Sequence, residues 1–104
     1  MNLPSEQSIK LDLNNPVFQR QLFNLQKKQQ REVLGTLRKL SKMTWKQVYG
    51  DKGLNWEVIV SRKGPHGGRI FSLRMGKGLR GVAYRENAWM RLLSLHPDHD
   101  SAYE

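Results

Sequence analysis

The chain has 104 residues, with eighteen lysines and arginines against nine acids for a formal net charge of +9 and a pI near 10.3. That length holds one domain, residues 1–104, and an apolar share of 38% suits a folded chain with a modest core, leaving no room for a second independent module. No apolar run approaches the roughly 20 residues needed to span a bilayer, Met1-Asn2-Leu3-Pro4-Ser5-Glu6 lacks the charged start and apolar centre of a signal peptide, and the lack of cysteine removes disulfides and thiolate metal sites. The basic excess marks a polyanion binder, with nucleic acid as the default partner, no membrane partner and an intracellular location as the simplest reading.

Ser8-Ile9-Lys10-Leu11-Asp12-Leu13 alternates apolar and polar residues, which predicts a short strand with one buried face. Asn14-Asn15-Pro16 predicts a helix start: either Asn can cap free amides, and Pro16 suits the first turn. Phe18, Leu22 and Leu25 recur at helical spacing, the pattern lapses through Gln26-Lys27-Lys28-Gln29-Gln30-Arg31, and it resumes with Val33, Leu34, Leu37 and Leu40. A helical hairpin, with the polar run as a solvated face or turn, fits better than one bent helix. Thr44 to Tyr49 adds a helical turn, and Trp56 to Val60 reads as apolar and extended. Gly64-Pro65-His66-Gly67-Gly68 is expected to be a flexible loop. With no Gly-Lys-Ser/Thr it is not a phosphate-binding loop. Three strands are predicted over 69–75, 79–85 and 88–96, joined by Gly76-Lys77-Gly78 and Glu86-Asn87. The expected fold is therefore α+β, with an N-terminal strand and a helical hairpin packed on a small antiparallel sheet.

Charge is concentrated in the meander. Between Glu57 and Glu86 the chain carries Arg62, Lys63, Arg69, Arg74, Lys77, Arg80 and Arg85 with no acid among them. A three-residue loop with Gly78 at positive φ would pair Met75 with Leu79 and set Arg74 directly across from Arg80. Phe71, Leu73, Met75, Leu79, Gly81 and Ala83 then face the helices, and Ile70, Ser72, Arg74, Arg80, Val82 and Tyr84 face away. Like charges directly opposite destabilise a strand pair, and a phosphate bridging two guanidinium groups removes that cost. A two-residue turn at Lys77-Gly78 would instead send Arg74 to the other face. The turn at Asn87 leaves open which of Leu93 and His96 faces the arginines.

The last residues are rich in proton-transfer groups: His96, His99 and Tyr103, with Asp98 and Asp100 between them. An imidazole here could take a proton from a ribose 2′-OH or give one to a departing oxygen, and nearby carboxylates would orient the ring and raise its pKa. The cationic surroundings disfavour the rival reading, a divalent metal held by these His and Asp residues.

Taken together, the early strand, the helical pair and the meander resemble the RelE/ParE toxin superfamily, within it the mRNA-cleaving RelE-like branch. The resemblance rests on Arg69-Ile70-Phe71-Ser72-Leu73-Arg74, Gly78-Leu79-Arg80-Gly81-Val82-Ala83-Tyr84, Leu92-Leu93-Ser94-Leu95-His96 and the terminal Asp98-His99-Asp100-Ser101-Ala102-Tyr103. It implies a cytoplasmic toxin of a type II toxin-antitoxin system: a metal-independent endoribonuclease (mRNA interferase) that works on mRNA, commonly at the ribosome, needs no cofactor and is held inactive by a cognate acidic antitoxin. By that resemblance Arg80 neutralises the scissile phosphate, Arg74 supports the transition state, and His96 or His99 with Tyr103 handles protons and stacks on a base. Lys63, Arg69, Lys77 and Arg85 are the expected RNA-binding cations, with Asp98 and Asp100 in support. The sequence departs from the family in having Ser72 where some members carry a lysine and in placing His96 where an arginine often follows the last strand. The competing function is a non-catalytic RNA- or DNA-binding module in which Trp45, Trp56 or Trp89 stacks on bases, although small domains more often bury such rings. On the enzymatic reading, Arg80→Ala and His99→Ala are each expected to lower cleavage at least about tenfold with folding intact.

Overall fold

Asn15 starts the first helix through its side-chain oxygen, which accepts from the backbone N–H groups of Val17 and Phe18 at 2.8 and 3.3 Å while Pro16 fills the first turn. The computed structural model describes residues 6–97. Over that range the elements run β1 (Lys10–Asp12), α1 (Pro16–Asn24), α2 (Lys27–Leu40), α3 (Trp45–Gly50), β2 (Glu57–Lys63), β3 (Arg69–Gly76), β4 (Leu79–Glu86) and β5 (Trp89–Pro97). The fold is α+β, as expected.

The break between α1 and α2 is shorter than the lapse in apolar pattern suggests. Leu25 and Gln26 alone are extended, and the glutamine and lysine run forms the first turns of α2 instead of a turn between helices. Gln30 shows why. Its side-chain amide donates to the carbonyls of Leu22 and Phe23 at 3.0 and 3.2 Å, adding a donor to the Leu22 oxygen, which also accepts from Leu25 N–H at 3.3 Å, and so closes the end of α1 onto α2. At α3 the Thr44 hydroxyl accepts from Gln47 N–H at 3.2 Å and the Gln47 side chain accepts from Thr44 N–H at 2.9 Å, a reciprocal cap.

The sheet has the order β1-β5-β4-β3-β2. From β2 to β5 it is an antiparallel meander, with β2 longer than the short extended stretch expected from Trp56 to Val60. The N-terminal strand β1 joins this meander parallel to β5, with Leu11 opposite Met90, which makes the five-stranded sheet mixed. A chain that crosses the helical layer between two strands is free to return in the same direction. Arg91 on β5 secures this junction, donating to Asp12 at 2.6 Å and to Glu86 at 2.7 Å.

One sheet face carries the main core. Phe18, Val33, Leu37, Leu40, Trp45 and Val48 from the helices meet Leu73, Met75, Leu79, Ala83, Met90, Leu92 and Leu95 from the strands. Trp45 meets Trp56 edge-on at 5.4 Å, and Trp56 stacks on Phe71 at 4.7 Å, so these two tryptophans serve the core. The opposite face holds a smaller cluster of Ile59, Ile70 and Val82, with Tyr84 and Leu93 against it. The Gly64 to Gly68 segment, expected to be flexible, is a closed turn: Gly64 N–H donates to the Gly68 carbonyl at 2.7 Å around a 3-10 turn at Pro65–Gly67. A Cβ at Gly64 would sit 2.3 Å from Ile70 Cγ2, so only glycine permits that approach.

Candidate nucleic-acid interface

Two β-bulges decide what the second sheet face presents. The hairpin turn contains two residues, Lys77 and Gly78, with Gly78 at φ 79°. Such a turn alone would place Arg74 and Arg80 on opposite faces. It does not, because Gly76 pairs with Leu79 while Arg74 pairs with Arg80, leaving Met75 as an extra residue that restores the alternation. The expected Met75–Leu79 pair is thus replaced by Gly76–Leu79, and the Arg74–Arg80 pair stands. The Met75 carbonyl accepts from the Thr36 hydroxyl at 2.8 Å, which ties the bulge to α2.

The second bulge lies in β5. Val82 pairs with Ser94 and Ala83 with Leu92, so Leu93 is the extra residue. Regular alternation would send Leu93 and His96 to opposite faces. The bulge puts Leu93 against Ile70 and Val82 and also leaves His96 directly opposite Arg80. Arg74, Arg80 and His96 therefore form one row across three strands, on the order of 10 Å wide at ordinary strand spacing.

Arg74 is exposed, and its backbone N–H donates to the Leu54 carbonyl at 2.7 Å, pinning the loop before β2 against β3. That contact carries Asn55, at φ 50°, to a position where its carbonyl accepts from Arg80 Nη2 at 3.2 Å. The same nitrogen donates to Ser72 Oγ at 2.8 Å. Arg80 is 4% exposed, and its Nε has no hydrogen-bond partner. It meets neutral oxygens but, among the described residues, no carboxylate. A buried cation without a counter-charge is costly, and an anion at the row would offset that cost. At this depth truncation to alanine would leave a void, so Arg80→Ala is expected to lower stability as well as activity.

His96 is half-buried, with Nε2 2.8 Å from Ser94 Oγ. Burial holds its pKa below the ordinary value of 6.5, and the positive charge of Arg62 lowers it further, so the neutral imidazole is favoured near pH 7. Arg62 was one of the acid-free run of cations but was not singled out. Its reach to His96 depends on the meander bringing β2 and β5 to the same face. Glu57, opposite Ser72, is a carboxylate that the register brings to this face. The titration has a consequence for stability. Because folded His96 binds a proton less readily than the unfolded chain does, its contribution is fully present above the unfolded value and is lost as pH falls through 6.5 toward the lowered folded value. Urea midpoints should therefore decline on acidification from about pH 7 to 5, and His96→Gln should flatten the decline. Equal slopes in the two proteins would remove His96 as its cause.

The other expected cations do not join this row. Arg85 points to the helical side, where its guanidinium lies 4.5 Å from the Trp45 ring centre and donates to Tyr49 Oη at 2.6 Å and to the Asn87 carbonyl at 2.7 Å. Its guanidinium is engaged with the helical layer and does not reach the Arg74–Arg80–His96 row. Lys63 and Arg69 face each other at the far end of the β2–β3 pair, and Arg69 is five residues from Arg74, about 16 Å along the strand. Lys77 sits at the hairpin tip. Asp98, His99, Asp100 and Tyr103 lie outside the described residues. Among the described residues no group of three His, Cys, Asp or Glu side chains is placed to hold a metal ion, and no helix is long and apolar enough to cross a membrane. Comparison with protein-family models, with curated proteins and with solved structures finds no match for this chain.

Proposed function

We propose that this protein is a RelE-like endoribonuclease that cuts mRNA, in association with the ribosome and under the control of an acidic antitoxin. The observation that carries the reading is the row of Arg74, Arg80 and His96, in which a buried guanidinium that meets no carboxylate among the described residues lies beside an imidazole whose neutral form is favoured near pH 7. A phosphodiester on this row meets two permanent cations at one oxygen-rich centre. Neutral His96 takes the proton of the 2′-OH, the 2′ oxygen attacks the adjacent phosphorus, and the bond to the 5′ oxygen breaks. The products are a 2′,3′-cyclic phosphate and a 5′-OH. The proton on the departing oxygen comes from a second group, for which His99 and Tyr103 are the candidates. The arginines stabilise the charge that builds on the non-bridging oxygens, and fixed positioning supplies much of the remaining rate.

Cleavage of labelled mRNA, with and without translating ribosomes and in excess chelator, tests this reading. Arg74→Ala and His96→Ala are expected to lower the rate by about 10- to 1,000-fold with an unchanged circular dichroism spectrum. Wild-type protein that binds RNA in both settings and never cuts it would establish a binding module in place of the enzyme. Loss of cutting in chelator would establish metal-dependent hydrolysis.

A further inference from the structure

We propose that the groove between α1 and the end of β5 is a nucleobase subsite, which seats a base of the RNA whose phosphate lies on the arginine row; this inference rests on the ribonuclease reading. The groove has a volume of about 370 Å³, within the range of small-ligand sites. Its floor is apolar, made by Leu25, Leu79 and Leu95, and its rim carries Gln21, Asn24 and Gln29. That combination suits a base, whose faces are apolar and whose edge alternates donors and acceptors. A lipid tail would leave these carboxamides unmet, and the lining contains no acid that would attract a cationic ligand.

The orientation of one amide is determined. Gln21 Oε1 accepts from Leu95 N–H at 2.7 Å, and since that partner is only a donor, the amide oxygen must face β5 and the NH2 must turn away from it. Gln21 thus caps an edge N–H of β5 and at the same time presents a fixed donor. The side chains of Asn24 and Gln29 have no hydrogen-bond partner among the described residues, so a ligand can take up their donors and acceptors in exchange for solvent. Arg20 at the same rim is placed for a flanking phosphate.

His96 joins the groove to the row. It lines the groove and pairs across the strands with Arg80. Leu79 and Leu95 belong to the helical face and Arg80 to the other, so groove and row meet at the end of β5, which β1 pairs only at Trp89 to Arg91. A nucleotide whose phosphate engages Arg80 reaches the groove around that edge. This arrangement makes α1, outside the cationic meander, the element that reads sequence.

The test is a titration of isotope-labelled protein with the 3′-monophosphates of adenosine, guanosine, cytidine and uridine, followed by NMR, with ribose phosphate as the baseless control. The expected result is that the nucleotides shift the side-chain amides of Gln21, Asn24 and Gln29 and the Leu95 N–H, that ribose phosphate shifts the row alone, and that the four affinities differ at least about threefold. In Asn24→Ala and Gln29→Ala that spread should collapse, and the preferred cleavage sequence should broaden with it. Nucleotides that perturb Arg80 and His96 while leaving the groove amides unmoved would overturn the subsite and leave the phosphate row standing. Groove shifts in a protein that never cleaves RNA would support a nucleotide site and overturn the enzymatic reading on which its role depends. Silence at both places would overturn both.

Discussion

Arg80→Met is expected to lower RNA cleavage by at least about 100-fold while the protein stays folded, whereas Arg80→Ala is expected to lose much of its stability as well. The difference follows from burial. Arg80 is 4% exposed and its stem lies inside the sheet face, so alanine leaves a void and removes the hydrogen bonds that Arg80 gives Ser72 Oγ and the Asn55 carbonyl. Those two effects together cost about 2–4 kcal/mol, a large share of the roughly 5–15 kcal/mol that holds a domain of this kind together. Methionine fills most of the volume and removes a buried charge that has no carboxylate partner, which offsets part of the lost hydrogen bonding. Urea unfolding and a cleavage assay on the same preparations separate the two roles. Arg80→Met that cuts RNA at the wild-type rate would take Arg80 out of the site and leave the row without its central member. Lysine at this position keeps the charge but loses the planar fork, so it should fall between the two in rate.

The largest effect on stability is expected at Trp45, where alanine should cost about 3–5 kcal/mol. Trp45 is fully buried, packs against Trp56 and Tyr49, and donates from Nε1 to the Ala88 carbonyl at 3.0 Å. It also supports Arg85, which lies over its ring. Removing the indole would therefore empty a large volume, leave the Ala88 carbonyl at the β4–β5 turn with Lys10 N–H as its remaining donor at 3.0 Å, and take from Arg85 the nearer of the two rings it lies over. Trp45→Phe keeps a ring and loses only the hydrogen bond and part of the volume, so it should recover more than half of the loss. A urea midpoint for Trp45→Ala close to that of the wild type would mean that the helical layer closes over the gap, and that Trp45 does not anchor the β4–β5 turn.

Much of this architecture is legible in the chain because it depends on short-range chemistry. Asn15 caps α1 through amides two and three residues away, Gly78 supplies the positive φ that its turn needs, and alternation along β3 and β4 sorts Leu73 and Met75 from Ser72 and Arg74. The pairing of Arg74 with Arg80 belongs to this class, although a two-residue turn and a bulge at Met75 produce it in place of a three-residue loop.

What only the tertiary structure decided depends on partners distant in sequence. The Met75 bulge is tied to Thr36, 39 residues earlier, and no local pattern announces such a partner. The Leu93 bulge brings His96 to the arginine face against simple alternation. Arg80 and Arg85 are both strand arginines in an acid-free run, yet one is buried beneath the Asn55 carbonyl and the other is held by Trp45 and Tyr49. Composition and spacing therefore determined that cations crowd this sheet. Packing decided which of them stand in the Arg74–Arg80–His96 row, because a side chain's exposure is set by whatever long-range neighbour covers it, and alternation specifies only the side on which it starts.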